Sequence, residues 1–364
     1  MRAPHFWWSE KPGFAARLAS PLLRPISALY GHIAARRMIG PGERVEAPVI
    51  CIGNFVAGGA GKTPTALTLA RWLQRAGENP YFLSRGYGGA LSADGGAHLI
   101  DRRRHGAAEA GDEPLLLARV ARTVVSKDRP AGARLALEGG ASMILMDDGL
   151  QNPSLCRDLS LAVVDGAVGF GNGRLIPGGP LRAPIELQLE KTSAGLIIGD
   201  GEAGEQAARL LDAAGKPVFH GRLAPDANAA LRMLGAKVVA FAGIGRPQKF
   251  FNTLRACGAR LVACHEFPDH YPYRLGDLIA LQRQADAHDA LLVTTEKDMV
   301  KLTPLLQRLP QNANKLLPMP ECLPVRLVVD EEPELQKMVM DTLAKSRAGA
   351  YARSLRPAPR EPLG

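Results

Sequence analysis

Apolar residues in this chain come in short blocks separated by stretches of helical spacing. Residues 49–52, 81–83, 122–125, 143–146, 159–164 and 195–198 are compact apolar runs of the kind that form strands buried on both faces. Helical patterns lie between several of them, at 63–76, 113–120 and 131–137. In the first of these, Ala66, Leu69, Ala70 and Leu73 line one face. A second series follows, with strand-like runs at 217–220, 238–242, 261–265, 291–295 and 325–329 and helical stretches at 249–257, 275–286 and 333–345. This alternation predicts an α/β protein: a mostly parallel sheet covered by helices, then a second, smaller α/β domain. The expected boundaries are 41–222 for the first domain and 223–345 for the second. An N-terminal segment, 1–40, precedes them, and an Arg/Pro tail, 346–364, lacks an apolar period and is expected to be loose.

The first forty residues differ in character. Leu18, Leu22, Ile26, Leu29 and Ile33 recur at three- and four-residue spacing, an amphipathic stripe that Pro21 and Pro25 are expected to bend or divide. Phe6, Trp7, Trp8 and Phe14 precede or begin it, and arginines are interleaved throughout. Such a segment suits a membrane interface, where anionic lipid attracts arginine, and equally suits a terminal helix whose stripe docks on the core. A spanning helix is not expected, because the longest uncharged run, 47–61, falls short of the roughly 20 apolar residues required. Glu10, Lys11, Arg17 and Arg24 argue against a secretory signal.

Lys and Arg total 45 against 36 Asp and Glu, a formal charge of +9 that favours an anionic partner. The basic residues are spread along the chain without a recognised nucleic-acid module, so nucleic acid is not expected among the partners. The cysteines (Cys51, Cys156, Cys257, Cys264 and Cys322) form no CxxC pair, which argues against a zinc site or disulfide framework and fits a reducing cytoplasm.

Chemistry concentrates where the first strand ends. Gly53-Asn54-Phe55 leads into Val56-Ala57-Gly58-Gly59-Ala60-Gly61-Lys62-Thr63, with a strand before it and a helix after it. Glycines let successive N–H groups curl towards one centre, and the helix start adds positive potential, so this is a phosphate-binding loop of the P-loop NTPase type. Lys62 is expected to reach the β- and γ-phosphates and the Thr63 hydroxyl to bind Mg²⁺. The pattern is a variant: Val56 stands where a glycine is usual, and Ala57 where ParA-like ATPases carry a second lysine. A second acidic signal closes the run 143–146. Asp147 and Asp148 arrive at the end of an apolar strand, the arrangement in which a carboxylate holds Mg²⁺ or its water. Asp112, before the helical stretch 113–120, reads as a helix cap on spacing alone. Phe267-Pro268-Asp269-His270-Tyr271 crowds polar and aromatic side chains after a strand of the second domain, either an inert surface loop or the rim of a site.

In order and spacing these segments resemble the tetraacyldisaccharide 4′-kinase family of lipid A biosynthesis. The resemblance runs from about residue 20 to 330. It is carried by the phosphate loop with Pro64-Thr65, Ser84-Arg85-Gly86-Tyr87, Gly111-Asp112-Glu113-Pro114, Asp147-Asp148-Gly149-Leu150-Gln151, Arg157-Asp158-Leu159, Leu181-Arg182, the 267–271 segment and Thr294-Thr295-Glu296-Lys297-Asp298. It implies ATP- and Mg²⁺-dependent transfer of a γ-phosphoryl group to the 4′-hydroxyl of a lipid-linked disaccharide 1-phosphate, in a cleft between the two domains. It further implies Asp112 and His270 as an acid–base pair, residues 56–63 as nucleotide ligands, and Thr63, Asp147 and Asp148 as metal ligands. Asn54, Arg85, Tyr87, Glu113, Gln151 and Arg182 are then expected on the substrate side. The expected setting is peripheral, at the cytoplasmic face of the inner membrane, with the N-terminal segment on anionic lipid and no obligate protein partner. Two positions depart from the family pattern: Asn152 replaces a histidine and Ala183 a glutamate, with Glu186 nearby. The competing class, a nucleotide-switch NTPase, would carry the extra loop lysine or a guanine-reading Asn-Lys-x-Asp run, and this sequence has neither.

Overall fold

The computed structural model describes residues 4–8, 14–307 and 317–354. Thirteen strands are defined among them: β1 (Val49–Gly53), β2 (Pro80–Ser84), β3 (Ala97–Leu99), β4 (Thr123–Ser126), β5 (Met143–Asp147), β6 (Leu159–Asp165), β7 (Ala194–Ile198), β8 (Val218–Pro225), β9 (Lys237–Ala242), β10 (Arg260–Glu266), β11 (Leu291–Thr294), β12 (Glu321–Cys322) and β13 (Val325–Val329). A nine-stranded sheet runs β13-β8-β7-β6-β1-β5-β2-β4-β3, and a four-stranded sheet runs β10-β9-β11-β12. All pairings are parallel except those of the two edge strands of the large sheet, β3 with β4 and β13 with β8. The central strands are apolar because helices cover both faces. On one face Leu69 and Leu73 of helix Lys62–Arg75 pack with Phe82, Leu145 and Leu161. On the other, Ala133 and Ala136 of helix Arg129–Glu138 pack with Tyr81 and Ile144.

Strand β1 lies between β5 and β6, so chain order reverses on either side of it. In open parallel sheets the crevice beyond the strand ends at such a point is where ligands bind. The phosphate loop follows β1 and the two aspartates end or follow β5, which brings both signals to this crevice.

The division of the chain differs from the expected one. β13 and helix Glu332–Ser354, read as part of 223–345, return to the large sheet. Residues 325–329 pair antiparallel with 221–225 of β8, and Leu335, Val339 and Leu343 join the core that holds Leu69 and Val163. Apolar spacing identified these elements but carries no information about which sheet they cover. The expected loose tail is also corrected up to Ser354, because the helix continues through an alanine-rich stretch of good helix formers. Arg347 fixes it with two bonds to Glu78, at 2.9 and 2.6 Å. Residues 355–364 of that tail lie outside the described residues.

Helix Phe14–Met38 runs through Pro21 and Pro25, so the prolines do not divide it. Pro25 is exposed. Ser27, Gly31 and Met38 make the inward side; Ser27 Oγ donates to the Leu175 carbonyl (3.1 Å) and accepts from Gly178 N–H (3.1 Å). Ile26, Leu29 and Ile33 face outward, 54%, 62% and 43% exposed. The docking alternative for these three is thereby corrected: a small polar residue and a glycine, which permit close approach to the 175–178 loop, make the contact instead. The side chains of Leu18 and Leu22 lie outside the described residues. No described helix is long and apolar enough to cross a membrane.

Candidate active site

The loop between β1 and helix Lys62–Arg75 turns on Gly58 and Gly61, at φ +127° and +96°. At Gly61 the positive φ is the backbone reason for glycine at the helix start, and a Cβ there would press only on the end of the Ile198 side chain, 2.7 Å from Cδ1. The loop's entry is fastened to the 174–182 segment: Ala57 N–H donates to the Pro180 carbonyl (2.8 Å) and Val56 bridges Leu181. Ala60 is buried, whereas Gly58 and Gly59 are exposed towards the crevice. Asn54 is fully buried and supports the loop from below, donating to the carbonyls of Val56 (2.7 Å) and Gly58 (3.2 Å) and accepting from Lys62 Nζ (3.2 Å). Gln151 donates to the Asn54 carbonyl (2.8 Å) and to Gln188 Oε1 (2.7 Å). Both residues, expected on the substrate side, here brace the loop. Thr63 sits at the first turn of the helix, half-buried.

The two aspartates have different surroundings. Asp148, at φ +54°, accepts from Arg182 (2.6 Å) and lies 3.7 Å from Lys62 Nζ. Burial works to raise its pKa, but Lys62 and Arg182 outweigh that and hold it far below the usual carboxylate range. Arg182 is therefore engaged with Asp148. Asp147 is buried, and its Oδ1 has no hydrogen-bond partner among the described residues. Burial, with the charges of Glu113 and Asp148, pushes its pKa up to about 7. A buried acceptor without a donor is costly, and such an atom could take a cation. The Asp147 carbonyl accepts from Arg129 (3.2 Å), a fully buried side chain that also donates to the Leu83 carbonyl (3.2 Å) and so ties the ends of β2 and β5 together.

Across the crevice, the small sheet contributes the loop after β10. His270 Nδ1 is 3.0 Å from both carboxylate oxygens of Asp112, across 158 residues of sequence. Asp112 starts helix Asp112–Leu117 beside Gly111 and is 4% exposed. Asp112 is thus buried against His270, and His270 is partly covered by that contact. His270 sits at φ +59°, a left-handed conformation that costs on the order of 1 kcal/mol for a residue with a Cβ. Asp269 Oδ1 accepts the His270 N–H at 3.1 Å and supports that turn. The hydrogen bond to the Asp112 carboxylate raises the His270 pKa against burial and the Lys297 charge. For Asp112, burial pulls upward, but His270, Lys297 and Lys301 together hold the carboxyl below its ordinary value. The Tyr87 ring lies 5.6 Å from the imidazole, largely exposed, and Arg85 is exposed at the end of β2.

Several residues here were not singled out from the sequence. Lys297 lies 3.2 Å from Glu113 and 3.2 Å from Asp269. Asp165, at the end of β6 and 3% exposed, receives Arg246 (2.5 Å) and Lys249 from the other unit. Lys297 stood inside the 294–298 run and Arg246 just after a Gly-x-Gly turn that follows a strand, but only tertiary structure supplies their partners. At the departing positions, Asn152 Oδ1 caps its own turn through Ser154 (2.9 and 2.7 Å), Ala183 is fully buried, and Glu186 is exposed.

A doubly wound parallel sheet with a glycine-rich loop, its lysine and a paired-acid strand end at the reversal point defines the P-loop NTPase-like class of α/β protein. The profile of the tetraacyldisaccharide-1-P 4′-kinase family matches residues 19–344. The tetraacyldisaccharide 4′-kinase of Methylobacterium sp. (strain 4-46) is 51% identical over 350 residues, covering 96% of this chain and 100% of the relative. That of Bradyrhizobium sp. (strain ORS 278) is 49% identical over 348 residues, covering 96% and 100%. The crystal structure of LpxK from Aquifex aeolicus in complex with ATP shares the fold, with a TM-score of 0.67 at 24% identity, covering 89% of this chain and 99% of that one. The chain belongs to the tetraacyldisaccharide-1-P 4′-kinase family, and it is an enzyme, a kinase.

Proposed function

We infer that the protein transfers the γ-phosphoryl group of ATP to the 4′-hydroxyl of a tetraacyldisaccharide 1-phosphate, a step of lipid A biosynthesis. The reading is carried by one observation: His270 of the small unit meets Asp112 of the large one at the crevice where the large unit also presents its phosphate loop. In phosphoryl transfer the protein mainly positions the reactants and balances charge. The 4′-oxygen bonds to the γ-phosphorus as the bond to the ADP oxygen breaks, and the hydroxyl proton passes to the Asp112–His270 pair. Residues 56–63 hold the phosphates, with Lys62 as the point charge. Asp147, whose Oδ1 lacks a donor, and Thr63 fit Mg²⁺, with Asp148 beside them already balanced by Lys62 and Arg182. Beside phosphates Mg²⁺ takes one or two carboxylates, which Asp147 would supply. The ion, when bound, neutralises charge on the phosphate oxygens. Arg85 and Tyr87 line the acceptor side. The outward Ile26, Leu29 and Ile33 give the N-terminal helix an apolar face for an anionic membrane surface, consistent with a peripheral position at the cytoplasmic face of the inner membrane.

Purified protein with labelled ATP, Mg²⁺ and the acylated disaccharide 1-phosphate should yield labelled bisphosphate. D112A and H270A should each lower turnover by about 100-fold or more while retaining a cooperative thermal transition. ATP hydrolysis indifferent to the lipid, or full activity in both variants, would overturn the reading.

A further inference from the structure

Lys297 stands at the seam between the two units, its side chain 18% exposed and its ammonium facing three carboxylates. Glu113 Oε1 and Asp269 Oδ1 are each 3.2 Å from Nζ, and Asp112 Oδ2 is 3.9 Å away. Two of these acids begin helix Asp112–Leu117 of the large unit; the third belongs to the loop after β10 in the small one. Because Asp269 also accepts the His270 N–H, one ammonium bears on both members of the acid–base pair: on Asp112 directly, on His270 through Asp269. Its own place is fixed. Lys297 is the second residue of helix Glu296–Gln307, whose start is locked by reciprocal bonds between Thr295 and Asp298 and by Gly243 N–H donating to Asp298. Without a cation, three acids gathered from two units repel one another and part the seam.

We propose that Lys297 is a positioning residue for the transfer step, bridging the two units so that Asp112 and His270 meet in register. The role rests on the reading of Asp112 and His270 as the acid–base pair. Lys297 acts through those two residues, so its loss falls on turnover. A displacement of the pair by about 1 Å costs on the order of 100-fold. Binding of either substrate relies on other side chains, and arginine, equally charged and with a longer reach, can span the same acids.

The test compares full-length wild type, K297M, K297R, D112N and the K297M/D112N double variant by labelled phosphoryl transfer and thermal unfolding. K297M should lose about 100-fold in kcat with both KM values within about threefold of wild type. K297R should recover to within about tenfold, and the double variant should be no slower than D112N, since the bridge then has no pair to position. Wild-type turnover in K297M, a loss confined to KM, or equal losses in K297M and K297R would overturn the proposal. Should K297M lose its cooperative transition, K297Q replaces it, and K297Q as fast as K297R would overturn the proposal. Wild-type turnover in D112N removes the acid–base reading itself, whereas an inactive D112N beside a fully active K297M removes only the role of Lys297.

Discussion

At the scale of single residues, the Asp112–His270 contact makes protonation and assembly one problem. The pKa of His270 is raised by the Asp112 hydrogen bond, so its charged form contributes stability fully below the ordinary imidazole value and loses it as pH rises through the raised one. The pKa of Asp112 is lowered, so its contribution is present above the ordinary carboxylate value and is lost as pH falls through the lowered one. The contact is therefore strongest between those limits. Nuclear magnetic resonance should find the His270 ring titrating above about 6.5 in the wild type and at lower pH in D112N. An unchanged midpoint would mean that the two side chains do not meet in solution. Neither member could be identified from local sequence, since Asp112 matches a helix cap and His270 a loop residue; only the family resemblance joined them. Lys62, Thr63 and Asp147 were readable directly, because a phosphate loop and a strand-end acid each have a local signature.

At the scale of elements, helix Phe14–Met38 separates its two jobs by face. Its inward contacts are made by Ser27, Gly31 and Met38, and Ile26, Leu29 and Ile33 point outward. Single exposed leucines are ordinary, but Ile26, Leu29 and Ile33 follow one another along one side of a helix flanked by Arg24, Arg36 and Arg37. The triple variant I26D/L29D/I33D should fold with an unchanged melting temperature and lose at least tenfold in partitioning to anionic vesicles, measured by sedimentation. Undiminished partitioning would leave the stripe without a membrane role. Periodicity revealed the stripe and most strands, since burial on two faces leaves continuous apolar runs. It could not tell which side of the helix docks, because a close approach is made by the smallest residues, which carry no hydropathy signal. Strand β3, helix Glu202–Ala213 and helix Glu296–Gln307 were not read for a similar reason: they are short edge structure or carry charge within the pattern.

At the scale of the whole molecule, the small sheet and the large one are held together by Val300, which packs into the large-sheet core, and at charged contacts on either side of the crevice. On one side stands the Lys297 cluster; on the other Asp165 takes Arg246 and Lys249. The two cations are 37% and 42% exposed, so solvent screening limits the second contact to about 1 kcal/mol. D165A should therefore leave the fold intact but loosen the closed arrangement, seen as a larger radius of gyration in small-angle scattering of the substrate-free protein. An identical scattering curve would assign closure to the Lys297 side alone.

The route of the chain adds a constraint that neither contact supplies. The polypeptide leaves the large sheet at Pro225 and re-enters it at Val325, and these two residues are paired neighbours on adjacent strands. Asp226 N–H donates to the Pro324 carbonyl at 2.9 Å, and Arg326 reaches the Asp226 carboxylate at 3.1 Å, so the outgoing and returning threads are stitched together where they cross. A body hung on two joined threads at one sheet edge has little freedom to slide or twist away. What remains is a swing about that edge, like a door on a single pair of hinges. A swing about that edge would carry His270, Lys297 and Arg246 together along one arc.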